Sequence, residues 1–500
     1  MLKRILNARV RDVLPTPTPL QPAPLLTTRL GHDILLKRED LTPVFSFKLR
    51  GAYNRIAALS TADRELGLIA ASAGNHAQGV AYAANLLGVP CTIVMPKTTP
   101  EIKVAAVRRL GAEVVMHGDN YSDAAERCAE LQSQQRMNFI HPFDDLDVIA
   151  GQGTVAVEIL SQAPDNLGSI FVPVGGGGLA AGVGAYIKAV RPDIAVIGVE
   201  PEASDAMTQS LEAGERVHLD HVGIFADGVA VRQVGEHTFH LCREVLDDCI
   251  RVSDDEICAA IKDCFEETRT VLEGAGALSI AGLKRYADEQ GLPAGPAAAI
   301  ASGANLSFNR LRYITERTDL GEHREGFLAV EIPERPGCFR AFHDALGALT
   351  VTEFSYRLSR RDVAHILVGI APQRADEIDE IAGRLRSAGY CCADLTDNEF
   401  AKIHVRHLVG GRSTEVQDEV LYDFEFPERT GALRDFLGGL GDRWNISLFH
   451  YRNHGGSYGQ VLCGFEVPEA ERDQLAATLG GLGFHHREQT ADPAVEMFLR

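Results

Sequence analysis

Three short blocks in this sequence bring together residue types suited to covalent and anion-binding chemistry. In the first, Ile34–Asn54, an apolar run ends in Lys37-Arg38-Glu39-Asp40, a loop follows, and Ser46-Phe47-Lys48 opens a helix. A lysine beside an aromatic at a helix N-terminus sits where the protonated amine is disfavoured. A depressed amine pKa is what Schiff-base formation needs; the alternative is a surface lysine whose stem lies along apolar neighbours. In the second, Ser72-Ala-Gly-Asn-His-Ala-Gln-Gly79 follows the apolar run Ile69–Ala71. Its small residues let backbone approach a ligand, and N–H groups at the helix start can hold a carboxylate. The Asn75 amide can donate to a phenolic oxygen. An ordinary strand-to-helix turn capped by Ser72 or Asn75 explains the same residues. In the third, Phe171-Val-Pro-Val-Gly-Gly-Gly-Gly-Leu-Ala-Ala-Gly182 sets four glycines between a strand and a helix. Several N–H groups then converge on one point, a nest for phosphate. Close packing accounts for one or two of these glycines, not four in a row. The run is neither the GxGxxG dinucleotide pattern nor a Walker loop.

Two later pieces join them. Asp227-Gly-Val-Ala-Val231 follows an apolar stretch and can line a pocket with backbone. Ala301-Ser-Gly-Ala-Asn305 follows the run Ala298–Ala301 and places the Ser302 hydroxyl at the C-terminal edge of a sheet, where ligands of open α/β folds sit. A plain helix cap is the other reading of Ser302. The elements that position these blocks alternate from about Gly31 to Tyr313. Strand-like runs are Leu68–Ala71, Cys91–Met95, Glu113–Met116, Ser169–Val174, Ala195–Val199 and Ala298–Ala301, and helical spacing marks Gly79–Leu87 and Ile102–Leu110. Apolar strands alternating with helices predict parallel sheet covered on both faces.

The chain has 500 residues, too many for one core, so two to four domains are expected. A net charge of −20 argues against nucleic acid or anionic membrane as the main partner. The ten cysteines show neither a CxxC pair nor metal-ligand spacing, so no metal is expected. They read as reduced thiols, which points to the cytoplasm. Met1–Leu14 mixes charge with apolar residues and predicts a short amphipathic helix rather than a secretory signal. The uncharged stretch Gly168–Ile187 is long enough to cross a bilayer, but Pro173 and the glycine run would break a spanning helix. Strand, turn and buried helix fit it better.

Around Thr318–Gly326 the pattern turns charged and strand-poor, a predicted boundary. Beyond it the chain repeats. Ile332-Pro-Glu-Arg-Pro-Gly337 returns as Phe426-Pro-Glu-Arg-Thr-Gly431, Phe354-Ser-Tyr-Arg357 as Phe449-His-Tyr-Arg452, and Leu385-Arg-Ser-Ala-Gly-Tyr390 is echoed by Leu479-Gly-Gly-Leu-Gly-Phe484. Each copy reads strand, turn, helix, strand, strand, helix, strand, with helices on one face of an antiparallel sheet. Two such copies can pair to form one pocket. The expected domains are residues 1–318, 326–397 and 419–492.

Taken together and in this order, these blocks resemble the tryptophan-synthase-β-like, fold type II family of pyridoxal-phosphate enzymes, and within it the biosynthetic threonine dehydratases. The resemblance spans essentially the whole chain; Ser-Phe-Lys-Leu-Arg-Gly-Ala-Tyr and Ser-Ala-Gly-Asn-His-Ala-Gln-Gly carry most of its specificity. It implies a catalytic domain of two open parallel-sheet subdomains followed by two α+β ACT-like regulatory repeats. It implies that Lys48 binds pyridoxal 5'-phosphate as a Schiff base, that Phe47 flanks the ring and that Asn75 meets the 3-oxygen. Gly175, Gly176, Gly177, Gly178 and Leu179 would cradle the phosphate, and Ser302 would meet the pyridine nitrogen. Ser72, Gly74, His76 and Gly228 would bind substrate. L-Threonine would yield 2-oxobutanoate and ammonia, with isoleucine inhibiting through the repeats and valine opposing it. Arg340, Tyr356 and Tyr451 are the implied effector residues, Arg434 being the repeat equivalent of Arg340; packing in the core or at an interface is the other reading of the tyrosines. A homotetramer is the implied assembly. Two departures stand out: Glu273-Gly-Ala-Gly-Ala277 where the family often has Glu-Pro-Ala-Gly-Ala, and Asp227 where it has Glu. Serine racemases, the nearest rival on this fold, carry serine at the position of Ala73, which cannot move a proton. The other rival is an amino-acid sensor with an inert lyase domain, a chain expected to have lost the lysine or the glycines that this one retains.

Overall fold

The computed structural model describes the chain apart from residues 119, 120, 224, 309, 323, 348, 359–361, 373, 375, 376, 399–412, 414, 428–431, 453–457 and 492–500. Two compact units share it, Met1–Gly321 and Glu322–Arg500. In the first unit the strands are β1 (Leu20–Pro22), β2 (Ile34–Arg38), β3 (Leu68–Ala71), β4 (Cys91–Met95), β5 (Glu113–Met116), β6 (Asn138–Phe139), β7 (Ser169–Pro173), β8 (Ala195–Pro201), β9 (Asp248–Val252) and β10 (Ala297–Ala301). They form two open sheets, in the orders β1-β2-β10-β7-β8-β9 and β5-β4-β3-β6. Among the described residues, β1 runs antiparallel to β2 and the other strand pairings of these two sheets are parallel.

Every residue of β3, β4, β7 and β10 is buried. Runs such as Leu-Ile-Ala-Ala and Ala-Ala-Ala-Ile-Ala have no solvent face to alternate toward, which is how strands between two helix layers read. β3, β7 and β10 each hand the chain at their C-terminal end to one of the chemically suggestive blocks. The uncharged stretch around the glycines is the strand Ser169–Pro173, a turn and the helix Gly178–Val190. Among the described residues no helix is long and apolar enough to cross a membrane.

One expectation needs correction. The N-terminal segment is not one helix but a short helix, Leu2–Leu6, and a 3-10 turn, Arg9–Asp12. Ala8 is extended between them, and the Arg9 N–H donates to Asn54 Oδ1 at 2.9 Å, so a tertiary bond replaces helix continuation. Through the charged stretch Thr318–Gly326 the helix Arg310–Gly321 runs to the end of the first unit, and Glu322 opens the second. On that helix Arg317 pairs with Asp255 at 2.9 Å and lies over the Tyr313 ring.

In the second unit the strands are β11 (Gly326–Pro333), β12 (Thr350–Arg357), β13 (Val363–Ala371), β14 (Cys391–Asp394), β15 (Glu419–Pro427), β16 (Asn445–Arg452), β17 (Tyr458–Glu466) and β18 (His485–Glu488). Helices Cys338–Leu346, Glu377–Ser387, Ala432–Leu440 and Arg472–Gly481 complete the two copies in the expected order. The copies share a single eight-stranded antiparallel sheet, β14-β11-β13-β12-β16-β17-β15-β18, joined edge to edge at β12 and β16. Phe354 faces Tyr451 and Tyr356 faces Phe449 across that seam. Phe342, Ile381, Phe436 and Leu475, one from each helix, belong to one core with Leu328, Phe354, Phe424 and Phe449 of the sheet. The echoed glycines have a backbone reason: Gly389 and Gly483, each following its helix, take φ of +93° and +76°, a conformation costly for a residue with a Cβ. Gly337 likewise takes +84° before its helix; its counterpart turn, 428–431, lies outside the described residues.

Candidate active site

The strand ends converge on one cavity. Its wall includes Phe47, Lys48, Asn75, Gly175, Gly176, Gly177, Gly178, Leu179, Gly228 and Ser302. Five chain segments that are far apart in sequence therefore meet at one place.

Lys48 is the first residue of the helix Lys48–Ala58. Its Nζ donates to the Pro142 carbonyl at 3.1 Å and lies 5.2 Å from the centre of the Phe47 ring. Burial pushes its pKa down to about 8, against a smaller opposing pull from Glu273. The helix is anchored two residues further on. Arg50, fully buried, donates from Nε to Glu39 at 2.7 Å and from its other nitrogens to Glu158, both at 2.7 Å, and to Thr154. Lys37 donates to the same Glu158 at 2.7 Å. Two buried cations and two carboxylates thus cancel, with every guanidinium nitrogen engaged. Gly51 explains its place in the motif by contact: a Cβ there would come within 2.7 Å of the Val148 carbonyl on the helix Leu146–Gln162.

The glycine turn is a cradle that side chains would fill. A Cβ on Gly175 would lie 2.8 Å from Val229 Cα, and one on Gly176 only 2.2 Å from the Phe143 ring. Gly177 has φ of +90° and precedes the helix Gly178–Val190, whose first N–H groups lack intrahelical partners. The backbone there fits a phosphate. Ser302, buried at the end of β10, donates to the Ala275 carbonyl at 3.1 Å.

The sequence of the chain matches the pyridoxal-phosphate dependent enzyme family over residues 12–303, and the C-terminal regulatory domain of threonine dehydratase twice, over 316–405 and 410–499. It is 52% identical to the biosynthetic L-threonine dehydratase IlvA of Burkholderia multivorans over all of this chain and 99% of that one. Among solved structures, the processed threonine deaminase isoform 2 of Solanum lycopersicum is 47% identical, with a TM-score of 0.61 over 63% of this chain and 91% of that one. A serine racemase from Dictyostelium discoideum is 32% identical, with a TM-score of 0.57 over 62% and 98%. The chain belongs to the biosynthetic threonine dehydratases. It is a fold type II, pyridoxal-phosphate-dependent member of that family with a C-terminal regulatory domain.

In this dehydratase fold, not every expected site residue lines the cavity. Ser72, Gly74 and His76 do not. The His76 ring is buried with Nε2 2.8 Å from the Ile140 carbonyl, and burial pushes its pKa down to about 3, so the ring stays neutral. Its side chain is thus engaged away from the cavity, whereas that of Asn75 lines it. Conversely, Phe143, Gln152 and Glu273 line the cavity without having been singled out for it. Glu273 precedes the helix Gly274–Glu289 and accepts a hydrogen bond from Asn75 Nδ2. Burial first, and Asp227 second, push its carboxyl up to about 7. Asp227, the other departure, pairs with Lys103 at 2.7 Å.

In the regulatory unit, Tyr356 and Tyr451 are buried at the seam between the repeats. The Tyr356 hydroxyl donates to Glu334, and its ring meets Phe339 edge-on at 4.9 Å. Arg340 pairs with Asp442, and Arg434 approaches Asp344 at 4.0 Å, so the two equivalent arginines each reach an acid on the other repeat.

Proposed function

We propose that the chain converts L-threonine to 2-oxobutanoate and ammonia at Lys48, under control of an amino acid held by the C-terminal repeats. The observation that carries the reading is the meeting of Lys48, the four-glycine turn and Ser302 in one cavity. Lys48 would hold the cofactor through its amine, with Phe47 beside the ring and Asn75 donating to the 3-oxygen. Gly175–Gly178 and Leu179 would hold the phosphate, and Ser302 the pyridine nitrogen. Ser72, Gly74 and His76 would offer backbone N–H groups to the substrate carboxylate, and Gly228 would add backbone to the same site.

When bound, pyridoxal phosphate supplies the electron sink that stabilises charge at the substrate Cα. The chain's own part begins with the amine: with a pKa of about 8, roughly a tenth of Lys48 is neutral at pH 7, against well under a thousandth for an ordinary lysine. A neutral Lys48 Nζ is the base that accepts the Cα proton. The β-hydroxyl departs as water, and hydrolysis of the product yields 2-oxobutanoate and ammonia. Ala73, on the loop beside Asn75, brings no second acid–base group to that loop, which favours elimination over racemisation.

Residues 1–318 would carry the chemistry, and 326–397 with 419–492 the regulation. Isoleucine is the proposed inhibitor and valine its antagonist, bound where Arg340, Tyr356 and Tyr451 meet the seam of the repeats. A homotetramer in the cytoplasm is the proposed setting. Turnover of threonine and serine, with and without isoleucine, tests this on wild type beside Lys48→Ala. Threonine turnover by wild type, damped by isoleucine and absent in the variant, is expected. Undiminished turnover by Lys48→Ala would refute it.

A further inference from the structure

The block Ala301–Asn305 ends in an asparagine that the chemistry above does not use. Asn305 Nδ2 donates twice, to the Val44 carbonyl at 2.9 Å and to Asn75 Oδ1 at 2.7 Å. At its far end the Asn75 amide donates from Nδ2 to Glu273. We propose that Asn305 is a positioning residue for this reaction: acting through Asn75, it fixes which end of the Asn75 amide faces the cofactor. The proposal rests on the placement of Asn75 against the cofactor's 3-oxygen.

The direction of the chain of amides follows from its first member. A backbone carbonyl can only accept, so Asn305 must turn its nitrogen, not its oxygen, toward Val44. The second hydrogen on that nitrogen then points at Asn75, and the atom it meets must be an acceptor. Asn75 therefore turns Oδ1 toward Asn305 and Nδ2 toward the cavity. An amide has nearly the same shape either way round, and only its partners decide which atom lies where. Reversed, Asn75 would set its oxygen against the Glu273 carboxyl and against an anionic phenolic oxygen. In the observed orientation Nδ2 has two hydrogens, one for Glu273 and one for the ligand.

The anchor at the start of the chain is rigid. Val44 is buried, Ser46 N donates to Thr42 Oγ1 at 2.9 Å, and that hydroxyl donates back to the Ser46 carbonyl at 2.8 Å. Ala304 N donates to the Phe45 carbonyl at 2.9 Å, which ties the loop holding Val44 to the segment holding Asn305. Space for the pair is kept by Gly303, where a Cβ would fall 2.4 Å from Glu273 Oε1 and 3.3 Å from Asn75 Nδ2. The same five residues thus bring Ser302 to the cavity and orient the amide beside it.

The test is a double-mutant cycle on the full-length protein: wild type, Asn305→Asp, Asn75→Ala and the double variant, each stripped of cofactor and titrated with pyridoxal 5'-phosphate. The aspartate has the same shape but offers neither Val44 nor Asn75 a donor. The readouts are the dissociation constant and the pH at which the visible band shifts. With Asn75 present, Asn305→Asp is expected to weaken binding about ten- to a hundredfold, the worth of one hydrogen bond to a charged group, and to move the band's pH midpoint. In the Asn75→Ala background the same change is expected to alter binding less than about twofold, because there is no amide left to orient. Equal losses in both backgrounds would show that Asn305 only holds the loop, and overturn the proposal; so would an unchanged constant in Asn305→Asp alone. If Asn75→Ala by itself binds and absorbs like wild type, the placement of Asn75 fails, and the proposal with it. Asn305→Ala run through the same cycle answers the question should the aspartate variant not fold.

Discussion

Gly176→Ala isolates the fit of the glycine cradle better than any other single change. Gly176 does not adopt a left-handed backbone, so alanine is permitted there by its dihedral angles, and the obstacle is contact alone. The added Cβ would stand 2.2, 2.3 and 2.5 Å from three carbons of the Phe143 ring, whereas unstrained carbon contacts lie near ~3.5–4.0 Å. The ring or the turn must therefore move by more than an ångström. Forcing a methyl into packed surroundings costs about 1–3 kcal/mol. That cost falls on the turn conformation proposed to hold the phosphate, so the dissociation constant for pyridoxal 5'-phosphate should rise roughly five- to 150-fold. Titration of the cofactor-stripped variant, followed by visible absorbance, measures it. Adding Phe143→Ala, which removes the Cγ, Cδ1 and Cδ2 atoms that the new methyl would strike, should recover most of the loss. Wild-type affinity in Gly176→Ala, or a double variant as weak as the two single losses combined, would refute the steric argument.

Four further outcomes follow from the geometry. Glu158→Gln leaves Lys37 and Arg50 facing Glu39 alone in a buried site, and should cost about 3–5 kcal/mol in denaturant unfolding; a loss below about 1 kcal/mol would mean that water reaches the cluster. Because the Lys48 amine must be neutral to react, capture of the cofactor by stripped protein should accelerate as pH rises and level off above about 8; a midpoint near the ordinary lysine value of about 10.4 would remove the role of burial. Ala73→Ser should introduce measurable exchange of stereochemistry at the substrate Cα, read by chiral chromatography, and none would count against that loop as the second face. Tyr356→Ala or Tyr451→Ala should blunt isoleucine inhibition while leaving uninhibited turnover near wild type; lost turnover with inhibition intact would defeat the effector assignment.

Much of the catalytic frame was legible because burial writes itself into composition. β3, β4 and β5 have the limits that their apolar runs predicted, and β7, β8 and β10 differ by a residue or two at one end. Where the reading failed, a distant residue had intervened. Asn54 draws off the Arg9 N–H and splits the N-terminal helix. At the site, Lys48 and the glycine run announced themselves by residue type and spacing. Glu273 did not, since an acid before a helix is commonplace and only folding brings it to Asn75, 198 residues away. Phe143 was silent for the same reason; its significance is that Gly176 lies against its ring. In the repeats, landmarks at constant offset revealed two copies, but their union through β12 and β16 into one sheet depends on edge pairing that no single strand encodes.

The central claim is that one side chain, Lys48, bonds the cofactor. Borohydride reduction of the yellow protein, followed by proteolysis and mass spectrometry, tests it directly. The account predicts a single phosphopyridoxyl group on the peptide containing Lys48, with the colour lost on reduction. A tag on another lysine, or a protein that neither colours with pyridoxal 5'-phosphate nor takes up the label, would contradict it.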